Sequence, residues 1–360
     1  MSKHQVFLVH GMGDFELGWS EAVRGRIVGA FSTYPKLRDN GFADAFEFKE
    51  ITYNPVFEGW RDQWRADAQA AAGALTATGL SSKAADTLIK GAASPAGSSF
   101  WQTHVLDVVG FRFLMPIAQT VYRSVQSQIL GHLKSFPPDD VPPYSVIAHS
   151  LGTAVAYETF HAMLTNGADG QSAPLGTAFR PNNVFMVAST AKLLWNRGGS
   201  AYPAMMGPNL ANGDGLSFYF ANFRHALDPV PNVDRFDPPA SWFAPTAPKD
   251  AVYADVVLPE GDLQQLNVHS FEHYLSHPMV HVPILRKLVG FDSVISDAEL
   301  KAQLKVWRAA GLVDQTLAEA KAQLKAMLLA RATEGWAKEI DMLLTLRELV
   351  LASKVKDGES

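Results

Sequence analysis

The stretch YSVIAHSLGTAVAY, residues 144–157, combines an apolar run, a turn of small residues and a helix-forming run. Residues 144–148 have the continuous apolar character of a parallel strand that is buried on both faces of a sheet. From about Thr153 to Leu164 the pattern predicts a helix. Ser150 therefore lies at a sharp turn between a buried strand and a helix, where small neighbours let the two elements pass closely.

The rest of the chain alternates in the same way, and this alternation predicts an α/β fold. Strand-like runs separated by helical patterns generate a mostly parallel central sheet flanked by helices. We predict strands at residues 5–10, 46–53, 144–148, 184–188, 217–223 and 252–258. Helices are predicted at residues 20–31, 105–135 and about 153–164.

The domain organisation follows from where this alternation breaks down. We expect one large domain at residues 1–290, with a helical insertion at about residues 55–135 whose middle is rich in Ala, Gly, Ser and Thr. Residues 291–360 are expected to form a helical C-terminal appendage. Ser296 and Glu299 make a capping-box pattern that predicts the start of its first helix.

The composition excludes several classes of function. Its 47% hydrophobic and 19% charged residues are typical of a globular protein that buries a sizeable core. The 31 basic and 36 acidic residues give a net charge of -5 and form no basic stripe, so no nucleic-acid partner is expected. Because the chain has no cysteine, disulfides, thiolate catalysis and cysteine-based zinc sites are excluded.

No targeting or transmembrane segment is predicted. Residues 1–10 run straight into a strand-like stretch without a cleavage site of small residues, so we expect no secretory signal and a cytoplasmic protein. The most apolar stretch, residues 105–125, is broken by Asp107, Arg112, Pro116 and Arg123. These residues favour a long buried helix over one that spans a membrane.

The turn around Ser150 has the features of a nucleophile elbow, with Ala148 at a position that is usually glycine. A serine hydroxyl is a poor nucleophile at neutral pH, so it needs a base and also donors for the oxyanion that forms on the substrate. We predict main-chain N–H donors at Met12 and Leu151. The glycines on either side of Met12, Gly11 and Gly13, would also serve an ordinary tight turn between a strand and a helix. The supporting motif residues are His10, Gly11, Gly13 and Gly152.

The stretches VFLVHGMG and VIAHSLGTAVAY resemble the lipases and esterases of the α/β-hydrolase fold. The resemblance covers about residues 5–285. It implies that fold, with a serine nucleophile followed in chain order by an acid and a histidine, each in a loop after a late strand.

The acid is expected at Asp228. It follows a predicted strand, and its surroundings, HALDPVP at residues 225–231, resemble the loop in which lipases of this fold often place their aspartate. Its role would be to hold the imidazole in one tautomer and to stabilise the imidazolium. Asp-Pro also starts many ordinary turns, and Asp234 and Asp237 are the alternatives nearby.

The base is harder to choose, because His269, His273, His277 and His281 recur every four residues. The segment HSFEHYL, residues 269–275, resembles the triad-histidine segment of class 3 lipases, which favours His269 over its alternative, His273. In one continuous helix the last three histidines would share a face, but no matching carboxylate helix supports a metal site. His149 is interpreted as structural.

The predicted reaction is the hydrolysis of a carboxylic ester through an acyl-enzyme, without a metal or an organic cofactor. The resemblance to lipases and the apolar insertion favour a lipophilic acyl ester or lipid as the small-molecule substrate. A lipase lid is as apolar as a core helix, so transient contact with a membrane surface stays open. No oligomeric state follows from the sequence.

Two alternatives to ester hydrolysis stay open. The same triad serves acyl transfer and thioester or amide hydrolysis, since the shape of the pocket selects the leaving group. A binding protein that retains the fold without turnover, with the helical tail as its partner surface, is the other alternative.

Overall fold

The computed structural model describes residues 2–11, 15–59, 115–166, 176, 179–195, 199–245, 248–265 and 267–311. Over these residues the strands form one sheet in which all neighbours run parallel, in the order β2-β1-β3-β4-β5-β6. The strands are β1 His4–Val9, β2 Phe46–Ile51, β3 Tyr144–His149, β4 Asn183–Val187, β5 Tyr219–His225 and β6 Tyr253–Leu258. The predicted α/β class and each predicted strand are confirmed, with small differences at the boundaries.

Helices cover both faces of the sheet. They are α1 Ser20–Thr33, α2 Pro35–Asp39, α3 Met115–Leu133, α4 Leu151–Asn166, α5 Pro229–Val233, α6 Lys249–Val252, α7 Phe271–Ser276, α8 Pro278–Val289 and α9 Asp297–Ala309. Short 3₁₀ turns lie at Phe42–Ala45, Pro138–Asp140, Ala204–Met206, Leu210–Asn212, Ala240–Trp242 and Asp292–Val294. None of the helices in the described part of the chain has the length and apolar character needed to cross a bilayer.

Two hydrophobic cores lie on opposite faces of the sheet, because successive side chains of a strand point to opposite sides. Within β1, Phe7 and Val9 join the core formed with α3 and α4. Val6 and Leu8 join the core formed with α1, α7 and α8. The central strands are thus apolar on both faces, which explains their continuous apolar sequences.

The strand order places a crevice between β1 and β3. From β1 the chain first adds β2 on one side, then crosses to β3 on the other side and continues outward to β6. In open α/β sheets, such a reversal leaves a crevice at the carboxyl ends of the strands, where ligands bind. The turn at His10 and the turn at Ser150 both lie at this point.

Most of the predicted insertion, residues 60–114, and most of the predicted appendage, residues 312–360, lie outside the described residues. Within the range predicted for the insertion, the structure describes helix α3. Its Val121 and Val125 are fully buried in the core that also contains Phe7 and Val9. In the appendage range, the capping box at Ser296 and Glu299 is confirmed, with both of its hydrogen bonds present. The helix that it starts, α9, packs against α8.

Candidate active site

Ser150 forms a strained turn between β3 and α4. Its backbone φ of 53° lies in the left-handed region, which residues other than glycine rarely adopt. Its N–H donates to the carbonyl of Val187, 2.9 Å away, which ties the turn to the neighbouring strand β4. Strain that is held in this way by its surroundings is typical of functional sites.

The small residues around this turn are required by the close approach of β1. A Cβ on Gly152 would overlap the carbonyl oxygen of His10 and lie 2.8 Å from that of Val9. A Cβ on Gly11 would lie 2.9 Å from the Cβ of Ser150. The two sequence motifs therefore meet at the crevice, although Met12 and Gly13 lie outside the described residues.

Ser150, His269 and Asp228 form a continuous chain of hydrogen bonds. His269 Nε2 lies 2.8 Å from Ser150 Oγ, and His269 Nδ1 lies 2.8 Å from Asp228 Oδ2. An ionised carboxylate can only accept, so Nδ1 carries the proton and Nε2 is left to accept from the serine hydroxyl. This order of nucleophile, base and orienting acid is the one that activates a serine.

Two loops at the carboxyl edge of the sheet bring the acid and the histidine together. Asp228 follows β5 and caps α5, with its Oδ1 accepting from the N–H of Val230 at 3.1 Å. His269 lies in the loop between β6 and α7. Ser150 is 2% exposed, whereas the side chain of His269 is 25% exposed, so the imidazole is accessible.

Tyr274, which was not predicted from the sequence as a site residue, completes the environment of the acid. Its hydroxyl donates to Asp228 Oδ2 at 2.8 Å and accepts from the N–H of His225 at 2.8 Å. Burial disfavours the ionised form of Asp228. The charge of His269 and the hydrogen bonds from His269, Tyr274 and Val230 outweigh burial and hold the pKa of this carboxyl below its usual value. The segment HSFEHYL contains Tyr274, but only the contact with Asp228 reveals its role.

His273, the alternative base, does not join this chain. Both of its ring nitrogens are buried without a hydrogen-bond partner among the described residues, and its ring lies between those of His225 and Trp307. Burial, reinforced by His225, lowers the pKa of His273 to about 4. The imidazole next to Ser150 is therefore that of His269.

The other histidines do not share one helical face. The helix breaks at His277, which caps the next helix, because the residue before Pro278 is disfavoured in a helical conformation. His277 contacts Asp262 at 3.3 Å, and His281 contacts the hydroxyl of Tyr34 at 2.8 Å. No group of three or more potential metal ligands occurs among the described residues.

His149 supports the loop that carries His269. Its Nε2 lies 2.7 Å from the carbonyl oxygen of His269, to which it donates, and its ring stacks on that of Phe271 at 4.8 Å. Burial is the largest of the effects that lower the pKa of His149, to about 3, so the ring is neutral. On the β1 side, His10 donates from Nδ1 to the carbonyl of Gly11 at 2.7 Å and stacks on Tyr53 at 4.1 Å.

Leu151, one of the two predicted oxyanion donors, is the first residue of α4. The first N–H groups of a helix have no acceptor within the helix, and the helix dipole favours a negative charge beside them. The main-chain N–H of Leu151 is adjacent to Ser150, where an oxyanion would form.

Of the alternative acids, Asp234 pairs with Lys192 at 2.6 Å, and the N–H of Asp237 bonds to Tyr202.

Comparison of the chain with models of known protein families gave no match, and comparison with curated proteins gave none either.

Proposed function

We propose that this protein is a serine hydrolase of the α/β-hydrolase fold that cleaves carboxylic esters. The observation that supports this most directly is the chain from Ser150 Oγ through His269 to Asp228, built on a serine with a φ of 53°. The all-parallel sheet, with the site at the carboxyl ends of its strands, is consistent with this fold.

The proposed reaction has two steps. Ser150 Oγ attacks the ester carbonyl while His269 Nε2 takes the hydroxyl proton, and the resulting tetrahedral oxyanion accepts from the N–H groups of Leu151 and Met12. The C–O bond to the alcohol then breaks, and His269 returns its proton to the leaving alkoxide. Water repeats the sequence on the acyl-serine, releasing the carboxylic acid and restoring the enzyme.

Each protein group in this scheme has a defined task. Asp228 stays ionised, because its pKa is held low, and it stabilises the imidazolium that forms when His269 takes the proton. No metal or organic cofactor is needed for these transfers. We propose a lipophilic acyl ester as the substrate class, on the basis of the lipase-like motifs and the apolar residues within the range 55–135.

The test is labelling by a fluorophosphonate probe together with hydrolysis of p-nitrophenyl esters of increasing chain length. We expect the wild-type protein to be labelled at Ser150 and to prefer medium or long acyl chains. Ser150→Ala should lose labelling and lower kcat on the order of 10⁴-fold or more. Matched thioester and anilide substrates show whether another acyl donor is preferred.

The matched pair His269→Ala and His273→Ala tests which histidine is the base. His269→Ala should lower kcat on the order of 10³-fold or more, whereas His273→Ala should change it by less than about tenfold. If only His273→Ala abolishes labelling, the proposed base is wrong. A folded wild-type protein that neither reacts with the probe nor hydrolyses any ester would favour the binding-protein alternative.

A further inference from the structure

The carbonyl oxygen of Ser150 is held by two threonine hydroxyls. It accepts from Thr153 Oγ1 at 2.6 Å and from Thr190 Oγ1 at 2.9 Å, and also from the N–H of Thr153 at 2.9 Å. Thr153 is fully buried and Thr190 is 4% exposed, so water does not compete for these bonds. None of these bonds involves His269 or Asp228, so the contacts lie outside the hydrogen-bonded chain described above.

The two threonines also fix each other. The N–H of Thr190 donates to Thr153 Oγ1 at 2.9 Å, which leaves the Thr153 hydroxyl proton free to point at Ser150. Thr190 is brought into place by a second strained turn, at the end of β4, where Ala188 has a φ of 52°. The N–H of Ala188 donates to the carbonyl of Phe223 at 2.8 Å, which anchors that turn to β5.

Holding this carbonyl also sets the direction of the N–H group of Leu151. A peptide unit is planar and trans, so the C=O of Ser150 and the N–H of Leu151 lie in one rigid plane and point in opposite directions. Donors on the oxygen also polarise the peptide, which makes its N–H a stronger donor in a buried environment. The hydrogen bonds on the carbonyl oxygen of Ser150 therefore set the direction of the Leu151 N–H and also make it a stronger donor.

We propose that Thr153 and Thr190 are positioning residues that direct the Leu151 N–H at the oxyanion formed during ester cleavage. The proposal rests on the proposed function, because it needs an oxyanion at Ser150. It adds two side chains to the proposed triad, Thr153 from the start of α4 and Thr190 from the turn after β4. It also gives the strained turn at Ala188 a role, since that turn brings Thr190 to the back of the nucleophile's peptide.

Thr190→Val removes the hydroxyl and keeps the shape of the side chain. We expect kcat to fall about tenfold with KM changed less than about twofold, a fraction of the loss seen when an oxyanion donor is removed outright. The affinity for a trifluoromethyl ketone carrying the same acyl chain should fall by the same factor, because its adduct with Ser150 carries the oxyanion. The acid limb of the pH profile of kcat/KM should not move, since His269 and Asp228 keep their contacts.

Three further variants separate positioning from packing. Thr190→Ser restores the hydroxyl and should recover most of the activity, and Thr153→Val should act in the same direction as Thr190→Val. Thr159→Val is the matched control, because Thr159 is buried in the same helix, α4, and its hydroxyl has no hydrogen-bond partner among the described residues. It should leave kcat, KM and inhibitor affinity unchanged.

The proposal is overturned if Thr159→Val reduces kcat as much as Thr190→Val, or if the loss in Thr190→Val comes with a shifted acid limb and unchanged inhibitor affinity. A crystal structure of Thr190→Val tests the geometry without turnover: an unmoved peptide between Ser150 and Leu151 contradicts the proposal, and a rotated one supports it. Failure of the proposed function would be a separate result: the wild-type protein would hydrolyse no ester. The orientation of the Ser150–Leu151 peptide in Thr190→Val has no bearing on that result.

Discussion

The two carboxylate oxygens of Asp228 accept hydrogen bonds from three donors. The way in which these donors are divided between the two oxygens affects the contact with His269. Oδ1 accepts from the helix N-terminus at Val230, while Oδ2 accepts from both His269 and Tyr274. Tyr274 therefore shares the same oxygen as the imidazole. Its hydroxyl restricts the carboxylate to one orientation and lowers the pKa of Asp228, and both effects keep the acid ionised beside His269.

Tyr274→Phe should reduce kcat/KM about tenfold, because the carboxylate loses a fixed orientation that the base depends on. The pKa of Asp228 should rise, since one of the bonds that lowers it is removed. The N–H of His225 also loses its acceptor, so the free energy of unfolding should fall by about 1–3 kcal/mol. Steady-state kinetics measure the loss of kcat/KM, and urea denaturation measures the loss of stability.

Tyr34→Phe is the matched control for this substitution. It removes another buried tyrosine hydroxyl, which bonds to His281 at 2.8 Å and makes no contact with the triad. We expect a loss of stability without a loss of kcat/KM. If both variants lose activity in proportion to their stability, Tyr274 has no specific role in orienting the acid.

Sequence reasoning could name Ser150, Asp228 and His269, which the structure brings into one chain of hydrogen bonds, because each of them lies at a turn that is recognisable from its local sequence. It could not name Tyr274 or Thr190. Their contacts depend on how α7 and the turn after β4 lie across the sheet, and no sequence spacing encodes that geometry. The break at His277 was predictable from Pro278, since the residue before a proline is biased away from the helix.

The elbow between β3 and α4 depends on a backbone contact that leaves no room for a side chain. Gly152 faces the carbonyl oxygens of His10 and Val9 at the end of β1. A residue with a Cβ can fit here only if β1 and α4 move apart. Such a movement would also separate the β1 turn from Ser150.

Gly152→Ala should therefore destabilise the protein by about 3 kcal/mol or more, at or above the upper end of the usual cost of overpacking. Activity should be lost along with the close approach of β1. Gly131→Ala is the control, because Gly131 lies in α3 and a Cβ added there would meet no atom within 4 Å. It should be neutral or stabilise the helix by up to about 1 kcal/mol. A Gly152→Ala protein with wild-type stability and activity would show that this contact is not needed.

The elements themselves were predictable to a large degree, since strands buried on both faces read as apolar runs and turns interrupt them. The order of the strands in space was not. The crossing from β2 over β1 to β3 is set by packing between distant segments, and it is this crossing that creates the crevice. Each part of the candidate site thus lies in a single loop that can be recognised in the sequence. The loops are brought together only by the topology of the sheet.

Across the molecule, several histidines are buried in their neutral form. Burial is the largest cause of the lowered pKa of His10, His273 and His281, each to about 4, and of His149, to about 3. In the unfolded chain a histidine has a pKa of about 6.5, so between about pH 6.5 and 4 the unfolded state binds more protons than the folded state. The stability that these groups contribute is complete above about pH 6.5, and it is lost as the pH falls through this window.

His281→Gln tests this linkage at one site. Removing a single such histidine should reduce the slope of the unfolding free energy against pH by about 1 kcal/mol per pH unit between pH 6 and 5, as measured by urea denaturation. Tyr34→Phe breaks the same hydrogen bond without removing a titrating group, so its slope should stay close to that of the wild type. Equal slopes in wild type and His281→Gln would mean that His281 accepts its proton in the folded state, which the burial of its ring opposes.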